Sequence, residues 1–232
     1  MSKNVLFVGL GGAGQRHLRN LMKVYPDTKI SAVRKKKRNF EIGLDLTADK
    51  SVDIIKKYKI QEFESIAEAC STKQDFAIVA NPTSQHFSTA LELIERKIPV
   101  FIEKPIATEN DKVEVLAETA KKNSVEIMIA YQLRFHPCVI EAKKIIESGQ
   151  IGKVYSADIH VHSYMPSWHP YENYKNSYSA IKSKGGGVTL TLIHEIDILN
   201  SLFSNLEVIN SISGNYSNID IEADDYLMAN FK

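Results

Sequence analysis

Gly9, Gly11 and Gly14 form a Gly-x-Gly-x-x-Gly spacing, with Gly12 adding a fourth glycine inside it. The motif follows the apolar run Val5 to Val8 and opens a helix-like stretch from Ala13 to Val24. Residues without side chains let an anion reach the backbone, and a helix N-terminus meets that anion with unpaired N–H groups and the positive end of its dipole. The chemistry is pyrophosphate binding, with Gly9, Gly11, Gly12, Ala13 and Gly14 as the expected contacts. After the next apolar run, Ile30 to Val33, a carboxylate would hydrogen-bond an unphosphorylated ribose. The chain places Arg34, Lys35, Lys36, Lys37 and Arg38 there instead. Cations hydrogen-bond a 2′-phosphate at ~1.5–3 kcal/mol each, so the pattern favours NADP(H) over NAD(H), with Arg34 and Lys35 as its ligands.

Two further segments close apolar runs. Asn81, Pro82 and Thr83, with His86 beyond them, follow Phe76 to Ala80, and Glu103, Lys104 and Pro105 follow Val100 to Ile102. In a doubly wound sheet the carboxyl ends of the strands are where ligands bind. Asn81, Pro82, Thr83, His86, Glu103 and Lys104 are therefore candidate cofactor contacts, and Lys104 is also placed to meet a substrate oxygen. Arg16 and His17, on the first helix, read as solvated or packing residues.

These groups need a scaffold. Six short apolar runs, Val5 to Val8, Ile30 to Val33, Ile60 to Phe63, Phe76 to Ala80, Val100 to Ile102 and Ile127 to Ala130, alternate with helix-like segments such as Phe87 to Arg96 and Asp111 to Lys122. Strands with little polar alternation and a crossover between them predict a parallel sheet covered on both faces, a Rossmann doubly wound fold. The cofactor-binding domain is placed at residues 1–123. Residues 124–232 read as a second, partial α/β domain for substrate and oligomer contacts: a helix from Pro137 to Ser148, an alternating strand from Val154 to His162, an aromatic loop from Tyr164 to Lys184, one helix from the glycine triplet to Phe203, then strands Val208 to Gly214 and Tyr226 to Phe231. The fold class is α/β, a Rossmann sheet followed by an incomplete open-faced sheet.

With 44% hydrophobic and 25% charged residues the chain sits in the globular range. A net charge of +1 argues against a general nucleic-acid surface. Cys70 and Cys138 lack ligand spacing, so no metal is expected. No apolar run reaches the roughly eighteen residues of a membrane span and no leader is legible, which makes the cytoplasm the expected location.

Taken in order, four motifs resemble the Gfo/Idh/MocA oxidoreductases: Gly9 to Gly14, Asn81-Pro82-Thr83 with His86, Glu103-Lys104-Pro105, and Gly185-Gly186-Gly187 leading to His194 and Asp197. Tyr131 to Pro137, which contains Arg134, looks like the family's domain junction. The resemblance implies hydride exchange at a hydroxyl or keto group of a sugar, nucleotide sugar or cyclitol, with Lys104 and His194 as catalytic residues. Lys104 would hold the reacting oxygen and His194 would be the acid/base. It also implies a substrate pocket of Arg134, Trp168, Tyr171, Tyr174, Thr191, Lys104 and His194, and a homo-oligomer formed through the open sheet face. Two departures stand out. Thr191 occupies the position where many members carry Asp, and helical spacing puts Thr191, His194 and Glu195 on one face, so that Glu195 substitutes in part. Members also continue well past this length, which implies a truncated chain. The alternative reading is an NADP-binding or interaction protein without turnover.

Overall fold

The computed structural model describes residues 2–232; Met1, the first residue of the expected cofactor unit, lies outside the described residues. The first part of the chain runs β1 (Asn4–Val8), α1 (Gly12–Val24), β2 (Lys29–Val33), β3 (Phe40–Ile42), β4 (Ala48–Asp53), α2 (Ile54–Lys57), β5 (Gln61–Phe63), α3 (Ile66–Ala69), β6 (Phe76–Val79), α4 (His86–Glu95), β7 (Val100–Ile102), α5 (Asn110–Asn123) and β8 (Ile127–Ile129). Six of these strands make one sheet in the order β5-β2-β1-β6-β7-β8, every pair parallel.

Side chains alternate across a strand, so a central strand that is apolar throughout supplies two cores at once. Val5 and Phe7 of β1 pack with Leu18, Ile30, Ala32 and Ile54 on one face. Leu6 and Val8 pack with Val79, Leu93, Ile102 and Leu116 on the other. Each such side chain contributes roughly 1.5–3 kcal/mol on burial, and together they fix the height at which the strand ends stop. The switch in strand order between β1 and β6 opens the crevice into which the glycine loop faces.

The second part comprises α6 (Pro137–Glu147), α7 (Val188–Thr191), α8 (His194–Leu202), β9 (Val208–Gly214) and β10 (Tyr226–Phe231). Between α6 and α7 the chain makes a series of short 3₁₀ turns. β9 and β10 form an antiparallel pair with Val208, Ile209, Ile212 and Met228 exposed.

Four expectations are corrected. The antiparallel pair β3–β4 interrupts the βα alternation; its strands carry few apolar residues, and no periodicity marks them. Val154 to His162 has the alternation of a strand but forms none, because a strand needs a ladder partner and β9 pairs with β10 alone. The helix expected from the glycine triplet to Phe203 is two helices, broken at Leu192 (φ −103°, ψ 35°), so Thr191 does not share a helical face with His194 and Glu195. Finally, β8 pairs with β7, so the first sheet extends past the expected boundary at residue 123. Among the described residues no helix is long and apolar enough to cross a membrane.

Candidate functional site

The glycine loop fits an anion by what surrounds it. Gly9 sits at φ +98°, and a Cβ there would come within 2.7 Å of the Ala80 and Asn81 backbone. A Cβ on Gly14 would run into the Gly9 carbonyl oxygen, so these two glycines let β1, the β6 end and α1 pack together. Gly11 faces open space and is the N-cap of α1, whose first turn has no side-chain cap and no acidic residue. The turn therefore offers N–H groups and a positive dipole end at the switch point, a fit for a dinucleotide pyrophosphate.

The basic loop is less free than its composition suggests. Arg34 has its guanidinium donors engaged: Nε donates to Glu62 at 2.7 Å, Nη1 to the Arg38 carbonyl at 2.8 Å and Nη2 to Asn39 Oδ1 at 2.7 Å. Its side chain is 3% exposed, so Arg34 builds the loop rather than facing a ligand. Lys37 pairs with Glu64 and Arg38 with Glu172. Lys35 and Lys36 are exposed and form no ion pair among the described residues.

At the ends of β6 and β7 most expected cofactor contacts prove to hold loops. His86 is 1% exposed, with its ring nitrogens 2.7 Å from the Pro105 carbonyl and 2.9 Å from the Asn81 carbonyl. It staples the two strand ends together, and burial depresses its pKa. Asn81 donates to Thr89 Oγ1 at 2.8 Å, and buried Thr83 packs against Gly185, whose φ is +79°. Pro82 starts the turn between them.

Glu103, named from the sequence as a cofactor contact, is 6% exposed and forms a hub whose partners the sequence did not announce. Its Oε1 accepts from Arg16 Nη2 at 2.8 Å and lies 2.7 Å from His17 Nε2, while Oε2 accepts from the Lys104 backbone N–H at 3.2 Å. Burial alone would raise the carboxyl, yet the hydrogen bond and charge of His17, with Arg16 behind them, hold it below the usual Glu range. The only local signal was the neighbouring Arg16 and His17 just after the glycine motif.

This hub sets the base of Lys104, which precedes a cis proline. Lys104 Nζ donates to the Thr191 carbonyl oxygen at 2.5 Å, which ties β7 to α7. Burial depresses the Lys104 ammonium against the opposing charge of Glu103. His194 stands at the start of α8 with Nε2 3.3 Å from Gln132 Nε2 and its ring edge-on to Tyr131. Burial lowers its pKa and the nearby Lys104 charge lowers it further, so His194 is neutral near neutral pH and able to accept a proton. His194 Nδ1, Thr191 Oγ1 and Glu195 Oε2 are buried without a hydrogen-bond partner. Each of these atoms keeps hydrogen-bonding capacity for a further partner.

Lys104 is thus tied to Thr191, and its charge acts on His194. Arg134 does not join them: it forks onto Asp197, Nε to Oδ2 at 2.8 Å and Nη2 to Oδ1 at 2.5 Å, and anchors α8 to the 132–135 turn. Trp168 lines a cavity of about 440 Å³ together with His162, Met165, Thr191 and Asp224. Tyr174 opens a 3₁₀ turn outside that cavity. Tyr171 lies at the other end of the site, over Gly12. A larger cavity, about 650 Å³, lies at the opposite sheet edge beside Asn4 and Lys29 and has no part in this chemistry.

Comparison with known proteins identifies the fold and the family. Residues 3–131 match an oxidoreductase family described as having an NAD-binding Rossmann fold, and residues 139–232 match the GFO/IDH/MocA C-terminal domain. Relatives include the 2,7-anhydro-N-acetylneuraminate hydratase of Mediterraneibacter gnavus, 28% identical over 90% of this chain and 51% of that protein. Another is the scyllo-inositol 2-dehydrogenase (NAD(+)) of Bacillus subtilis, 29% identical over 63% of this chain and 40% of that protein. Among solved structures, the WlbA dehydrogenase from Bordetella pertussis, in complex with NADH and UDP-GlcNAcA, superposes with a TM-score of 0.79 at 17% identity, over all of this chain and 63% of that one. The chain thus spans about half the length of the relatives it matches. A glycine loop at the switch point, a lysine of the first part of the chain bonded to the second, and both family matches lead to one assignment: the chain belongs to the GFO/IDH/MocA family of NAD-binding oxidoreductases.

Proposed function

We propose that this chain carries the cofactor site and reacting centre of an NAD(P)-dependent dehydrogenase acting on a CH–OH group of a sugar, nucleotide sugar or cyclitol. The observation that carries the reading is that Lys104, at the carboxyl edge of the Rossmann sheet, donates to the carbonyl of Thr191, three residues before His194. The nicotinamide, when bound, supplies the hydride acceptor or donor. Lys104 holds the reacting oxygen through its ammonium, and neutral His194 takes the hydroxyl proton or returns it. Thr191 contributes a backbone carbonyl in place of a carboxylate. Glu195, whose charge acts on Lys104 and whose Oε2 lacks a partner, is the acid available to the relay.

Residues from Ser2 through β8 serve the cofactor, and the remainder shapes the substrate side, with the Trp168 cavity as its pocket. NADP(H) is the favoured cofactor, because no acid follows β2, and Lys35 and Lys36 carry the 2′-phosphate in place of the engaged Arg34. The exposed apolar residues of β9 and β10 support a homo-oligomer through that sheet face. Hydroxylated six-membered substrates suit the family, as the inositol dehydrogenase and UDP-GlcNAcA-bound relatives illustrate.

The test is a substrate screen with both cofactors, read by nicotinamide absorbance, on wild type, Lys104→Met and His194→Ala. The expected result is turnover of one polyol or sugar class by wild type and binding without turnover by the variants. Tight cofactor binding with no turnover across the panel favours the non-catalytic reading, for which Thr191 is the supporting residue.

A further inference from the structure

Gly12 lies between the motif glycines and is not one of them, yet a Cβ at that position would come within 2.8 Å of the Tyr171 hydroxyl oxygen, a residue 159 positions away. The Tyr171 ring is held on several sides. His169 stacks on it at 5.3 Å with an interplanar angle of 26°, Phe40 tilts against it at 6.4 Å and the Arg38 guanidinium lies 5.8 Å from its centroid. The next residue, Glu172, accepts from Arg38 Nη2 at 2.8 Å and lies 3.4 Å from His169 Nδ1. The 169–172 segment is thereby strapped onto the loop after β2, across the mouth of the cradle.

The first turn of α1 binds an anion from one side only, through N–H groups. An anion resting there keeps lone pairs that the amides do not fill, and a hydroxyl beside Gly12 is a donor that meets one of them. We propose that Tyr171 and Glu172 form a clasp on the dinucleotide: the Tyr171 hydroxyl, beside the α1 amides, donates to the pyrophosphate, and the Glu172–Arg38 pair holds the segment closed over it. The inference rests on the dinucleotide reading of the site. Burial, reinforced by the Glu172 charge, pushes the Tyr171 phenol up to about 12, so it stays a donor. The hydrogen bond from His169 holds the Glu172 carboxyl at about 2 against the effect of burial, with Arg38 assisting, so the latch stays charged. Gly12 is glycine in this account because the clasp needs the space its side chain would fill.

The test uses the full chain as wild type, Tyr171→Phe and Glu172→Gln, titrated with NADPH, ADP-ribose and adenosine, with NADPH release followed by stopped-flow fluorescence. Tyr171→Phe is expected to weaken NADPH and ADP-ribose by about tenfold, the loss of one hydrogen bond to a charged group, and to leave adenosine unchanged. Glu172→Gln is expected to speed NADPH release several-fold. Wild-type affinity in Tyr171→Phe, tighter binding in it, or an equal loss for adenosine overturns the clasp while leaving the dinucleotide reading intact. If Tyr171→Phe does not fold, an unchanged release rate in Glu172→Gln overturns it instead. A wild type that binds neither NADPH nor ADP-ribose overturns the dinucleotide reading, and the clasp with it.

Discussion

Glu103→Gln tests whether Lys104, the lysine proposed to hold the reacting oxygen, is positioned by a buried electrostatic hub. The carboxylate holds Arg16 at 2.8 Å, His17 at 2.7 Å and the Lys104 N–H at 3.2 Å. The amide keeps the shape and one acceptor oxygen but turns an NH₂ toward one of these donors. Removing one partner of a fully buried pair costs about 3–5 kcal/mol. Arg16 is 45% exposed and can rehydrate, which lowers the expectation to about 2–3 kcal/mol. The pH dependence has a definite sign. Glu103 is held below its ordinary 4.5, so its contribution is fully present above that value and is lost as pH falls through the folded value. The gap between wild type and variant in urea unfolding should be full at neutral pH and shrink in acid. Glu103 also raises the Lys104 pKa, so the variant should move the lysine-dependent limb of the pH–rate profile to lower pH. A gap below ~0.5 kcal/mol at neutral pH, within the range of an ordinary surface change, or one that persists undiminished in acid, would refute the hub.

Two shorter expectations follow from the cofactor cradle. Gly14→Ala drives a methyl into the Gly9 carbonyl, which should destabilise the fold by roughly 1–3 kcal/mol and weaken NADPH and NADH alike; thermal melts and cofactor titrations check both. Charge reversal at the two exposed lysines of the loop after β2, Lys35→Glu with Lys36→Glu, should lower the NADPH-to-NADH affinity ratio by about tenfold or more, while an unchanged ratio would remove these lysines from 2′-phosphate recognition.

What could be read from the residues alone follows a physical divide. The Rossmann half was legible because buried parallel strands must be apolar throughout and because Gly9 and Gly14 meet backbone at distances no other residue tolerates. Lys104 and His194 enter as candidates through the resemblance, by residue type and order. The partners that decide what a charged group can do were not, because they come from distant parts of the chain. Arg34 reads as a free cation until Glu62 is folded beside it, Arg38 until Glu172 arrives, and Arg134 until Asp197 does. The carbonyl that holds Lys104 belongs to Thr191, and a main-chain group leaves no trace in residue type. Val154 to His162 shows the converse, since its alternation supplies a strand's pattern without a neighbour to pair with.

The central claim is that Lys104 and His194 together serve hydride transfer at one carbon. It is tested most directly by following deuterium from the C4 position of reduced cofactor into keto sugars and keto cyclitols, with cofactor affinity measured alongside. Wild type should deliver the label to a single carbinol carbon. Lys104→Met and His194→Ala should bind NADPH nearly as wild type does, with the rate of label transfer in His194→Ala reduced by about 10²–10⁴-fold, the usual contribution of a positioned acid/base. Label transfer at the wild-type rate in both variants, or none in a wild type that binds the cofactor tightly, would contradict the account.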